Sequence, residues 1–105
     1  MRCIVIMTAC TSKREAARIA EALLEQRLIA CANIVSGADS RFWWKGAIDR
    51  AGETLLIMKT TRSHFGRVER TVRRLHHYEV PEIIALPIVA GNGEYLRWIE
   101  ENVTQ

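Results

Sequence analysis

The stretch from Leu28 to Thr60 constrains the fold more than any other part of this chain. Leu28 to Trp44 reads as extended, with Ser36-Gly37 placed for a bulge or bend and Lys45-Gly46 for a turn. A second extended run, Glu53 to Thr60, carries Leu55-Leu-Ile-Met58 at its centre. Two such runs joined by a tight turn predict an antiparallel hairpin with arms of about a dozen residues, roughly twice the usual strand length. The chain has 105 residues, enough for one core and too few for two, so residues 1–105 are expected to form a single domain. Arms that long overhang a domain of this size.

The segments around the hairpin supply the rest of a sheet and its cover. Cys3 to Ala9 is a short apolar run with β-branched members, the pattern of a strand buried on both faces. Ser12 followed by Glu15 forms a capping box, and Ala16, Ile19, Ala20, Leu23 and Leu24 recur at helical spacing, which predicts a helix over 12–26. After the hairpin, Ser63 is placed to cap a second helix whose inward stripe is Phe65, Val68, Val72 and Leu75. Its remaining faces carry Arg62, Arg67, Arg70, Arg73 and Arg74, the pattern of a solvated basic surface. Ile83 to Val89 reads as a last core strand with Pro87 near an edge, and Gly91-Asn-Gly93 precedes a terminal helix with Tyr95, Trp98 and Ile99. The order is βαββαβ plus a helical tail, the α+β ferredoxin-like sandwich with both main helices on one sheet face. The opposite face is left apolar and bare, which predicts an oligomer.

Composition narrows the function classes. Hydrophobic residues make up 49% and charged residues 26% of the chain, a balance that supports a packed core. A net charge of +3 is too small to argue for an acidic partner. Cys3, Cys10 and Cys31 cannot all pair within one chain and none lies in a CxxC, which favours a reducing, cytoplasmic setting. The longest apolar run, Ile83 to Ala90, is broken by Pro87 and is far short of the roughly 20 residues of a spanning helix, so no membrane association is expected. Phe42-Trp43-Trp44 lacks the glycine- and phenylalanine-rich signature of an RNA-binding sheet; these aromatics are expected at a subunit interface, with no nucleic-acid partner.

The segments Leu28-Ile-Ala-Cys-Ala-Asn-Ile34, Phe42-Trp-Trp-Lys-Gly46, Leu56-Ile-Met-Lys-Thr60, His76-His-Tyr-Glu-Val-Pro-Glu-Ile-Ile-Ala-Leu-Pro87 and Glu94-Tyr-Leu-Arg-Trp-Ile99 occur in that order along nearly the whole chain. Together they resemble the CutA divalent-cation-tolerance family. The resemblance implies a trimer of ferredoxin-like subunits, similar in architecture to PII signalling proteins, with a role in tolerance of divalent metals and copper as the usual ligand. Two positions depart from it. The family's His-Pro-Tyr reads His76-His77-Tyr78, and the cysteine that some members place at the end of the first strand aligns with Thr8, with Cys10 two positions later.

His76 and His77 are the leading candidate ligands, because imidazole suits copper, nickel and zinc; Cys10, Glu79 and Glu82 are candidate co-ligands. Adjacent histidines point in different directions, so one site is expected to use only His76. The alternative is that His76 closes the second helix against its last carbonyls. Cys10, between a strand end and a helix start, is expected to be the more exposed and reactive cysteine, and Cys31 a buried small residue. No nucleophile, base and orienting group share one motif, so no catalysis and no required cofactor are expected; Cu(II) or another divalent cation is the expected ligand. A different reading is a PII-like sensor that binds a small anion at subunit clefts near the arginine-rich helix. Hydrolysis of small phosphoesters or acyl phosphates rests on fold analogy alone.

Overall fold

The computed structural model describes residues 2–104. Its elements are β1 (Cys3–Cys10), α1 (Lys13–Glu25), β2 (Cys31–Trp44), β3 (Ala47–Thr61), a 3-10 turn (Arg62–His64), α2 (Phe65–Leu75), β4 (Ile84–Pro87) and α3 (Gly93–Asn102). The strands form one antiparallel sheet in the order β2-β3-β1-β4, the ferredoxin-like arrangement expected from βαββαβ.

The hairpin forms as its sequence predicts. Lys45 and Gly46 both adopt positive φ, 49° and 81°, a pairing that matches the right-handed twist of the strands they join. Gly37 sits at φ 88° where the β2–β3 register shifts between Val35 and Ala38, so the expected bulge is present. The arms, 14 and 15 residues long, run past the end of β1, which pairs with β3 only as far as Cys10↔Thr54. The molecule is accordingly elongated, 44 Å by 26 Å by 22 Å.

Alternation sorts β1 into two faces. Ile4, Ile6, Thr8 and Cys10 are buried against the helices, where Ala16, Ile19, Ala20 and Leu23 of α1 and Val68 and Val72 of α2 meet Leu56 and Met58 of β3. Val5 and Met7 lie on the other face beside Leu55 and Ile57. That face is covered only at one end, where α3 brings the Leu96 carbonyl to Cys3 and the Tyr95 hydroxyl to Cys31. Val35, Ile84 and Leu86 remain 47% exposed, and Trp43 and Ile48 at the hairpin tip are 72% and 67% exposed. No helix of the described residues is long and apolar enough to cross a membrane.

Three local expectations need correction. Leu28 to Ala30 are not strand: they form the exit from α1, with Arg27 in the left-handed region at φ 55° and the Leu28 amide bonded to the Leu23 carbonyl. Ser63 does not cap α2; it lies inside the 3-10 turn that runs into the helix, whose cap position is His64. The last strand is shorter than Ile83 to Val89 and is not core, because β4 pairs on one side only, with β1, and all four of its residues are exposed.

Candidate functional site: a buried donor cluster beneath a groove

Two loops and the end of β1 create the site. Ser12 caps α1 by accepting the Glu15 amide at 3.1 Å, which fixes the first turn of the helix at the end of β1. The Glu15 side chain folds back one residue further than a capping box requires. Its Oε1 accepts the Thr11 amide at 2.7 Å and the Thr11 hydroxyl at 3.0 Å, while Oε2 accepts the His77 amide at 2.6 Å. Burial alone would push this carboxyl up, but the bonds from Thr11 and His77, with His76 nearby, hold it below its ordinary value of 4.5.

His76 follows α2 and turns its ring inward. Its amide still closes the helix on the Val72 carbonyl at 2.8 Å, so the capping alternative is realised by its backbone, while its side chain does something else. Nε2 lies 2.8 Å from the Ala9 carbonyl, which can only accept; Nε2 therefore carries the proton. Nδ1 is left as an acceptor and takes the Tyr78 amide at 3.0 Å, while standing 3.8 Å from Glu15 Oε2. The side chains of both His76 and Glu15 are fully buried.

Cys10 completes the cluster. A ligand atom from each of Cys10, Glu15 and His76 lies within 4.8 Å of the other two. The expectation of an exposed, reactive Cys10 is overturned: its residue is 0% exposed, and burial, reinforced by the charges of Glu15 and Glu53, pushes its thiol up to about 12. Cys10 lies in the core cluster under the helices, with the His76 ring bonded to the neighbouring Ala9 carbonyl.

Glu79 and Glu82 do not join the cluster. They line a neighbouring groove of about 580 Å³ between the overhanging hairpin and the 78–82 segment, with Ala9 at its floor and Phe42 and Trp44 on the hairpin side. Tyr78 spans it, donating its hydroxyl to Glu53 Oε2 at 2.7 Å; burial and that bond to Glu53 push the phenol up to about 12. Glu53 is 8% exposed. His77 is outside the cluster, with a 59% exposed ring near Glu15 and Thr11. Thr8 is buried on the helix-covered face with its hydroxyl unpartnered, and contributes nothing to the cluster.

The fold thus brings together two of the five candidate ligands, Cys10 and His76, and adds Glu15 to them. The capping box explained that glutamate locally, and nothing in the spacing of Glu15 and His77 advertises a contact between residues 62 apart.

The donor set fits a divalent ion of borderline to soft character. A thiol, an imidazole and a carboxylate converge, and the imidazole is oriented by donating its other N–H to a backbone carbonyl, the support that metal-bound histidines ordinarily have. The thiol proton and the Tyr78 amide are what an ion must displace.

Comparison with known proteins identifies the family. The family model described as CutA1 divalent ion tolerance protein matches residues 4–102. The divalent-cation tolerance protein CutA of Thermus thermophilus is 47% identical over 98 residues, covering 93% of this chain and 95% of that protein. Rice CutA 1, chloroplastic, is 38% identical, and this chain spans 58% of its length. Among solved structures, the Thermus thermophilus protein superposes with a TM-score of 0.95 at 45% identity, covering 97% and 99% of the two chains. Oryza sativa CutA1 does so with a TM-score of 0.95 at 37% identity, covering 100% and 96%. With the matched family model spanning almost the whole chain and relatives this similar over most of their length, the chain belongs to the CutA1 divalent ion tolerance family.

Proposed function

We propose that this chain serves divalent-cation tolerance as a cytoplasmic homotrimer that binds Cu(II), or a divalent ion of similar softness, at Cys10, Glu15 and His76. The observation that carries this reading is the convergence of three donor types within 4.8 Å in a chain of this family. Copper supplies affinity for imidazole nitrogen and thiolate sulfur; the chain supplies a ring held in one tautomer and a carboxylate kept ionised. Glu79 and Glu82, on the groove, serve as approach groups that concentrate cations near the cluster. Loading releases the Cys10 proton, so affinity rises with pH through the neutral range. The protein acts by binding, without catalysis and without a resident cofactor.

Isothermal titration with Cu(II) tests this on the parent, Cys10→Ser, His76→Gln and the Glu79→Gln/Glu82→Gln pair, with assembly checked in each. The parent and the paired variant are expected to differ by less than about tenfold, and the two cluster variants to bind at least about a hundredfold more weakly. Equal affinity in all four would remove the cluster from metal binding.

A further inference from the structure

We propose that Tyr78 is the gate of the buried cluster, so that loading a cation and reshaping the groove are one event; this rests on the reading that the cluster binds the cation. The geometry of His76 leaves a single lone pair for an ion. Nε2 is protonated and committed to the Ala9 carbonyl, so an ion shared with Glu15 must use Nδ1, the atom that faces Glu15 Oε2. That lone pair is already occupied by the Tyr78 amide. An sp² nitrogen has one lone pair in the ring plane and cannot serve both. The next amide is not in competition, because Glu15 Oε2 accepts the His77 N–H and, as a carboxylate oxygen, keeps a further lone pair for an ion.

One amide, that of Tyr78, therefore loses its acceptor when an ion takes Nδ1, and Tyr78 belongs to the segment that walls the groove. Tyr78 ties the two regions together covalently. Its amide is fastened to the cluster and its hydroxyl to Glu53, whose carboxylate lies at the groove. Tyr78, Glu79, Val80 and Glu82 all line that cavity, so releasing the Tyr78 amide loosens this wall where it leaves the cluster. In the metal-free chain the wall is pinned at both ends of Tyr78; in the loaded chain it is pinned at most through the hydroxyl. Tyr78 is thus a positioning residue that converts a buried binding event into a change of surface shape.

Amide hydrogen exchange of the full-length protein with and without Zn(II), which binds imidazole and thiolate without redox chemistry, reads this directly. Zn(II) is expected to speed exchange of the 77–82 segment about tenfold in the parent, as for a local opening, and to leave it unchanged in Cys10→Ser. Tyr78→Phe, which drops only the hydroxyl tie, is expected to speed exchange of the 77–82 segment further in the Zn(II)-loaded protein, because the wall then keeps neither restraint at Tyr78. Unchanged exchange in a parent that binds Zn(II) through Cys10 would overturn the gate and leave the binding site standing. Zn(II) binding that survives both Cys10→Ser and His76→Gln would overturn the site reading and the gate with it. Faster exchange that persists in Cys10→Ser would place the trigger elsewhere and overturn the gate alone.

Discussion

Glu15 joins the start of α1 to the end of α2 through a single carboxylate. It accepts from two groups of Thr11 and from the His77 amide, with the His77 ring Nδ1 also 3.1 Å from Oε2, and these bonds outweigh the cost of burial. A carboxyl held below its ordinary 4.5 in the folded state stabilises the fold above that pH, and the contribution is lost as pH falls below 4.5 through the folded value. Chemical denaturation followed across that acid range should therefore show stability falling in the parent, with a visibly shallower fall in Glu15→Gln. Truncation to Glu15→Ala should cost about 1–3 kcal/mol at neutral pH, because it orphans buried donors. Cys10 gives a second residue-scale prediction. With its thiol pushed up to about 12 and fully buried, it should resist iodoacetamide in the native protein and react only on unfolding, as mass spectrometry of peptides would show. The local sequence around Cys10 implies the opposite, since a strand end before a helix start is usually open. Cys10 instead joins the core cluster beneath the helices, beside His76, and no local pattern encodes that long-range packing.

At the scale of elements, features set by neighbours in sequence are legible and features set by partners across space are not. Gly37 and Lys45-Gly46 mark the bulge and the turn because positive φ has a short list of tolerant residues. Arg27 escapes that logic. It occupies the left-handed position of a Schellman ending, with its amide on the Leu24 carbonyl and the Leu28 amide on the Leu23 carbonyl, yet it is not glycine. Arg27→Gly should relieve that conformation and raise stability by about 0.5–1 kcal/mol, read from the denaturation midpoint at fixed protein concentration. Gly46→Val should do the reverse, costing about 1–2 kcal/mol at the hairpin turn. The apolar run after Pro81 invites a core assignment, but β4 is an edge strand, and its side chains have no second layer within the subunit.

Over the whole molecule, large apolar side chains lie uncovered on the sheet and at the hairpin tip. Val35, Ile84 and Leu86 on the sheet, with Trp43 and Ile48 at the hairpin tip, are all substantially exposed. Their pattern suits the proposed trimer, in which overhanging hairpins cover neighbouring sheets. Trp43→Ala should weaken assembly by about 2 kcal/mol or more before it unfolds the subunit, seen as dissociation on dilution in sedimentation velocity. Native mass spectrometry of the parent and of Cys10→Ser, each equilibrated with Cu(II), reports assembly and loading together. The prediction is a parent trimer carrying one ion per subunit and a Cys10→Ser trimer that has lost its ions; a monomeric parent, or a Cys10→Ser trimer that keeps them, would contradict it.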